Sequence, residues 1–129
     1  MKSSILILAF LLASAYTFAQ EADSASIKFD KEKHDFGDIT QGSTVENVFT
    51  FTNPGKKALV ISNVITSCGC TAPTWPKEPI PPKGKGEIKI AFNSTGKMGM
   101  QNKVITIVSN ASGGQHRLTI TANVLPPKK

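Results

Sequence analysis

The sequence has 129 residues, of which 40% are hydrophobic and 19% are charged, and its formal net charge is +6 at pH 7. This length fits one domain with its own hydrophobic core. The positive charge does not predict nucleic-acid binding, because the lysines are spread among acidic residues, Arg117 is the sole arginine, and no aromatic platform accompanies them. We therefore expect a small globular domain with no nucleic-acid partner.

The N-terminus has the pattern of a secretory signal. Lys2 is followed by an apolar run of roughly a dozen residues and by small residues ending at Ala19. This run is shorter than the about 20 apolar residues of a membrane-spanning helix, and no second apolar segment follows. The sequence predicts a signal peptide at 1–19, no membrane span, and export to the periplasm or the extracellular space. A flexible tail at 20–25 follows, in which the triplet around Ser24 matches a short bacterial O-glycosylation pattern.

Beyond the tail, the sequence has the period of β-strands and no helix signal. Several segments alternate apolar and polar residues, and ALVISNVIT and KVITIVS are rich in β-branched residues and apolar on both faces. Asn47 interrupts the inward-facing apolar set of its segment. The candidate strands are SIKFD, DFGDI, TVENVFTFT, ALVISNVIT, GEIKIAFN, KVITIVS and RLTITANV.

Turn residues separate these candidate strands. Gly, Pro and Asn recur between them, where a turn needs a positive or a fixed φ. About seven short strands in roughly 100 residues predict a single all-β domain, an immunoglobulin-like β-sandwich at residues 26–125, with a C-terminal tail at 126–129. The Cys–Trp–Cys spacing of antibody domains is missing, so the sandwich has no disulfide between its sheets.

The two cysteines, Cys68 and Cys70, are separated by one glycine. A disulfide between them would need a tight bend, which Gly69 would allow because it lacks a Cβ. Closing so short a loop removes little entropy from the unfolded chain, so the bond would stabilise the fold only slightly. A structural alternative is two small groups packed at the end of the ALVISNVIT strand under Trp75. The sequence favours a structural role and leaves open whether the pair is a disulfide or two thiols.

A set of short motifs along the chain carries a resemblance to a known family. These are Phe36-Gly37, Asn53 with Gly55, Ser67-Cys68-Gly69-Cys70-Thr71, Trp75, Pro79-Ile80-Pro81-Pro82, Phe92, and Ser109-Asn110. In this order they resemble the bacterial domain-of-unknown-function family 1573 (DUF1573). The resemblance covers nearly all of the chain beyond the signal. It implies an immunoglobulin-like sandwich related to major sperm protein and Hydin-type domains, most of which are interaction modules, and it implies no activity.

Trp75 lies in the proline-rich stretch TAPTWPKEPIPPKG. As a structural residue it would be a plug over one end of the sandwich. As a functional residue it would be a contact, since Trp is enriched at binding hot spots. The prolines remove backbone donors, so this stretch cannot be a central strand. The plug is the favoured role for Trp75, because a large exposed aromatic side chain is unusual on a monomer. The stiff loop is the candidate recognition surface, with Trp75, Pro76 and Pro79 as its candidate contacts.

A metal site is the main chemical alternative. Cys68, Cys70, Met98 and Met100 are soft ligands that suit Cu(I) outside the cytoplasm. Two cysteines alone do not make a structural zinc site, and the Met-Gly-Met segment also fits a turn. No nucleophile elbow, paired-carboxylate motif or phosphate-binding glycine loop is present, so we expect no enzyme and no cofactor.

These observations predict an exported, non-catalytic module that binds a protein or another component of the cell envelope. The alternative is a Cu(I)-binding or thiol-redox protein that uses Cys68 and Cys70.

Overall fold

A computed structural model describes residues 23–128 of the chain, and this part is built from strands without helices. The predicted signal peptide lies outside the described residues. The eight strands are β1 (Lys28–Phe29), β2 (Lys33–Thr40), β3 (Thr44–Thr52), β4 (Ile61–Thr66), β5 (Thr71–Thr74), β6 (Lys85–Asn93), β7 (Gly99–Ser109) and β8 (His116–Leu125).

The strands form two sheets of four. One sheet has the order β1-β3-β6-β5 and the other has the order β2-β8-β7-β4. Every pairing is antiparallel except that of β2 with β8, which is parallel. The prediction of an all-β, immunoglobulin-like sandwich is therefore confirmed.

The core lies between the two sheets and follows the alternation in the sequence. In β6, Ile88, Ile90 and Phe92 are at most 1% exposed, while Glu87 and Lys89 point to solvent. The facing strand β8 buries its own alternate set, Leu118, Ile120, Ala122 and Val124. Alternation places one face of each sheet against the other, so the predicted inward residues form one contiguous core.

The chain crosses from one sheet to the other between β4 and β5. Residues 67–70, which include both cysteines, make this crossing. Strand β5 is short, contains Pro73, and was not among the predicted strands. It lies at the edge of its sheet, in agreement with the expectation that the proline-rich stretch could not form a central strand.

The folded part begins slightly before the predicted boundary at residue 26. Ala25 is 2% exposed and forms a parallel bridge with Ala111, and the Ser24 carbonyl accepts a hydrogen bond from the Lys56 amide. The end of the predicted tail is therefore packed onto the sandwich. Within residues 23–128, no helix is long and apolar enough to cross a membrane.

Candidate functional site

The two cysteines form a disulfide at the corner where the chain changes sheets. Their Cα atoms are 5.3 Å apart, and the Cys70 amide donates a hydrogen bond to the Cys68 sulfur. The φ of Gly69 lies outside the left-handed region, and a Cβ on Gly69 would meet nothing within 4 Å. The bend forms as expected with Gly69 at its centre, and its geometry would also accommodate a Cβ at this position.

Neighbouring strands hold the corner on both sides. The Ser67 amide donates to the Val104 carbonyl in β7, and the Asn93 amide in β6 donates to the Cys70 carbonyl. Both cysteines are half-buried, and Cys70 packs against the core. The corner thus has a backbone connection to each sheet, as expected for a structural connection.

The two methionines of the predicted metal site lie away from the cysteines. Both are exposed, Met98 at 53% and Met100 at 73%. The corner is paired with β7 at Val104, four residues along the strand from Met100, which corresponds to about 13 Å. The disulfide also leaves neither sulfur as the thiolate that binds metals. The structure does not bring the four predicted ligands together.

Within residues 23–128, no group of three or more His, Cys, Asp or Glu side chains is arranged to hold a metal ion. His34 packs edge-on against the ring of Phe36, with ring centroids 4.6 Å apart.

The Trp75 segment, residues 75–79, is held at both ends. On one side Thr74 pairs with Lys89 of β6. On the other, Ile80 and Leu59 exchange two backbone hydrogen bonds of 2.8 Å, and Leu59 is fully buried. A loop with two fixed ends and two prolines has little conformational freedom to lose on binding.

Trp75 itself is half-buried and packs against the core. The Lys77 ammonium lies 3.0 Å from the centroid of the indole ring, a cation–π contact. The indole Nε1 is buried without a hydrogen-bond partner among the described residues. Pro76 is half-buried and Pro79 is exposed, so the segment presents apolar groups together with the exposed charges of Lys77 and Glu78.

Trp75 does not cover the cysteines. The whole of β5 separates Cys70 from Trp75, and four extended residues span about 13 Å. The expectation that the cysteines pack under Trp75 is therefore wrong, because an extended strand holds them at opposite ends.

Asn53 has a structural role that the sequence did not reveal. It is completely buried, and its side chain makes four hydrogen bonds. The oxygen Oδ1 accepts from the amides of Ser26 and Gly55, and Nδ2 donates to the carbonyls of Lys57 and Ile80. This side chain joins the start of the domain, the turn after β3, and the end of the Trp75 segment.

Asn110 has a similar role in the turn after β7. Its Oδ1 accepts from the Val60 amide and its Nδ2 donates to the Ala58 carbonyl. Asn53 and Asn110 both belong to the motifs that carry the family resemblance, and both are used to join segments of the sandwich. In the sequence, these roles were indicated by the place of both residues in those motifs and in predicted turns.

The fold lowers the pKa of the exposed Asp35 carboxyl. Its Oδ1 accepts a hydrogen bond of 2.9 Å from the Gly37 amide. This bond, followed by one from the Thr121 side chain, lowers the pKa of Asp35 below 3.8. The pair lies at the bulge of β2, where Gly37 has a φ of 68°. The lowered pKa thus reflects a turn that a carboxylate stabilises.

The family profile described as "Protein of unknown function (DUF1573)" matches residues 27–124. No curated protein sequence matches the chain. Among solved structures, a protein of unknown function from Porphyromonas gingivalis W83 has 19% identity and a TM-score of 0.69. The match covers 79% of this chain and 48% of that one, so the chain spans about half of this relative.

Two further structures belong to eukaryotic proteins. The PapD-like domain 7 of human CEP192 has 9% identity and a TM-score of 0.68, with 82% of this chain and 89% of that one covered. WR4, a major sperm protein family member from C. elegans, has 14% identity and a TM-score of 0.50, with 78% and 99% covered. At these identities the likeness shows the fold, which is the one that the family resemblance implied.

Proposed function

The chain belongs to the DUF1573 family of proteins of unknown function, and from that premise we propose that it is an exported, non-catalytic binding module of the cell envelope. Its contact surface is the Trp75 segment. Its partner is a protein or another envelope component.

The observation that carries this proposal is the pre-ordered state of the Trp75 segment. Both ends are fixed by backbone pairing, and the indole is held between the core and the Lys77 ammonium. Binding through such a surface costs little conformational entropy, and a partly exposed aromatic ring offers apolar area for burial.

The chemistry of the described residues supports a role without catalysis. The cysteines are joined in a corner, and Asn53 and Asn110 serve as structural hydrogen-bonding residues. These four residues belong to the motifs of the family resemblance, and each of them holds segments of the sandwich together. A loop positioned by a rigid scaffold is a common place for a binding surface.

Export is supported by the sequence pattern at the N-terminus and agrees with a disulfide, which persists in oxidising compartments. We expect the mature protein to begin at Gln20, after removal of residues 1–19. Mass spectrometry of the protein recovered from the envelope or the medium tests this; retention of Met1 or Lys2 would overturn the export step.

Site-specific photo-cross-linking tests the binding surface. A photoreactive amino acid replaces the exposed Glu78, which leaves the contact between Lys77 and Trp75 intact, and in a parallel sample it replaces Lys128 near the C-terminus. Cross-linking is performed in intact native cells. We expect one discrete adduct from position 78, and none from position 128.

Two substitutions then separate binding from folding. Trp75→Ala removes the indole, and Pro79→Glu places a charge on the same surface at an exposed residue outside the core. Pro127→Glu, also at an exposed proline, is the matched control. The adduct should disappear in both variants of the segment and persist in the control. An unchanged adduct in folded Trp75→Ala and in Pro79→Glu would refute the proposed surface.

A further inference from the structure

Strand β3 has an open edge where β1 leaves it. Strand β1 pairs only with Phe51 and Thr52, and the last backbone bond along this edge runs from the Asp30 amide to the Thr50 carbonyl. In a β-strand, the amide and carbonyl groups of every second residue point to the same edge of the sheet. The amides and carbonyls of Glu46 and Val48 therefore point to the β1 side, as the Thr50 carbonyl does. No described residue bonds to the amides or carbonyls of Val48 and Glu46 on this side.

The edge strands β5, β2 and β4 carry features that disfavour strand addition. In β5, the edge position is Pro73, which has no amide hydrogen. The pairing of β2 is broken by a bulge between Asp35 and Asp38, and that of β4 by one between Ile61 and Asn63. Such devices protect edges against unwanted pairing. The open stretch of β3 has a regular register and contains neither a proline nor a bulge.

A groove of about 350 Å³ lies along this open edge, between segment 30–34 and segment 47–50; we call it the β3 groove. Its volume is within the range of ligand-binding pockets, roughly 300–1,000 Å³. Asn47 lines the groove and makes no side-chain hydrogen bond to a described residue. The polar residue that interrupts the apolar pattern of β3 therefore lies at the groove.

The charges around the β3 groove favour an acidic occupant. Lys31 and Lys33 line it together with one carboxylate, Asp30. That carboxylate accepts a hydrogen bond of 2.6 Å from the Thr50 hydroxyl, which uses one of its oxygens. The lining of the groove thus carries two ammonium groups against one carboxylate, and the nearby Glu46 carboxylate is paired with the Lys89 ammonium at 3.1 Å. The resulting net positive charge would attract an aspartate or glutamate of an incoming segment and repel a lysine.

We infer that the β3 groove binds an extended acidic segment of a partner protein, which adds a strand to β3 by bonding to the backbone of Glu46 and Val48. Main-chain hydrogen bonds supply affinity in this mode, and side-chain pockets supply selectivity. The surface is distinct from the Trp75 segment, because β1 and β5 lie at opposite ends of the same sheet. The inference therefore goes beyond the proposed function and does not depend on it.

Selection from a random displayed heptapeptide library against the purified protein tests this inference. Peptides recovered should be enriched in Asp and Glu. When a recovered peptide is bound, the amides of Glu46 and Val48 should become protected against hydrogen exchange by at least about tenfold, since new backbone hydrogen bonds form.

Matched variants identify the contacts. Val48→Pro removes the edge amide and should weaken peptide affinity at least about tenfold, whereas the similarly shaped Val48→Thr keeps the amide and should bind within about threefold of the parent. Lys33→Glu should weaken the acidic peptides, and Lys128→Glu, the same charge change outside the groove, should not. Trp75→Ala should leave this binding unchanged.

Failure to recover an acidic peptide would overturn the inference. So would peptides that bind without protecting Glu46 and Val48, or that bind Val48→Pro as well as Val48→Thr. Peptides that lose binding in Trp75→Ala alone would assign recognition to the Trp75 segment, which would overturn the β3 groove and leave the proposed function standing.

Discussion

At the residue scale, the buried amide of Asn53 is the most highly connected polar side chain of the described structure. Its four hydrogen bonds use both hydrogens of Nδ2 and accept twice at Oδ1. Removal of this amide leaves the Ser26 and Gly55 amides and the Lys57 carbonyl without this partner in a partly buried region, while the Ile80 carbonyl keeps its bond from the Leu59 amide. Each group left unsatisfied costs free energy, because it lost its water on folding.

We expect Asn53→Ala to lower the free energy of unfolding by about 3 kcal/mol or more, since several buried groups lose a hydrogen bond together. Asn47→Ala is the control, because Asn47 is half-buried and has no hydrogen-bond partner among the described residues. Urea unfolding of the two variants measures the difference. Equal losses would contradict the assignment of Asn53 as a hydrogen-bonding hub.

Asp35 allows a test against pH. Its pKa is lowered in the folded state by the Gly37 amide, so the carboxylate form stabilises the fold. This contribution is present above the unfolded pKa of about 4 and is lost as the pH falls through the lower folded value. The side chain is exposed, so the effect on stability should be small. We expect an NMR titration midpoint below 3.8 for Asp35.

A midpoint at or above the ordinary value would contradict the turn geometry at Gly37. Gly37→Ala is the companion variant, since Gly37 has a positive φ and an alanine there would disturb the turn. In that variant the Asp35 midpoint should move upward.

The roles of these residues could be predicted only in part. The sequence marked Asn53 as a turn residue and Asn47 as an exception to an apolar pattern. It could not supply the partners of Asn53, because Ser26 and Ile80 are each 27 residues away along the chain. Hydrogen bonds of this length depend on how distant segments meet, which local propensity does not determine.

At the element scale, two glycines differ in what a side chain would meet. Gly86 in β6 faces Phe51 of β3, and a Cβ there would collide with the Cζ atom of the ring. Gly69 at the cysteine corner has open space. Gly86→Ala should lower the free energy of unfolding by about 1–3 kcal/mol through overpacking, and Gly69→Ala should leave it nearly unchanged. Thermal unfolding distinguishes the two; a larger loss at Gly69 would contradict the geometry of the corner.

The disulfide between β4 and β5 should contribute modestly to stability. The loop that it closes is three residues long, for which the chain-entropy estimate is about 1.5 kcal/mol. We expect the double variant Cys68→Ala/Cys70→Ala to lose about this free energy of unfolding and to keep its fold, because backbone bonds to Val104 and Asn93 hold the corner independently. Complete unfolding of the double variant would contradict this prediction.

Strand β5 shows where sequence patterns stop being informative. The seven predicted segments were recognisable from alternation or from β-branched residues, whereas Thr71–Thr74 contains one proline and is four residues long. It is a strand because Asn93 and its neighbours in β6 offer backbone partners on that side. An edge strand of this kind is specified by the sheet next to it rather than by its own composition.

At the scale of the whole molecule, the fold was accessible from the sequence, whereas the positions of the candidate site residues relative to one another were not. The alternation in β6 and β8 determines which side chains are buried, and that pattern is local. The separation of Trp75 from the cysteines follows from the extended strand β5 between them, and that of Met100 from the cysteines follows from the pairing of the corner with Val104 of β7. Strand pairing is set by contacts across the whole sandwich. The sequence alone therefore could not show that the four predicted metal ligands, or Trp75 and the cysteines, lie apart.

The central claim is that the cysteine corner is scaffold and that the Trp75 segment is the binding surface. The yield of the photo-cross-linked adduct from position 78 tests both halves in one comparison. We predict that Cys68→Ala/Cys70→Ala retains the adduct despite its lower stability, and that folded Trp75→Ala or Pro79→Glu loses it. An adduct lost with the cysteines and retained without the indole would contradict the account.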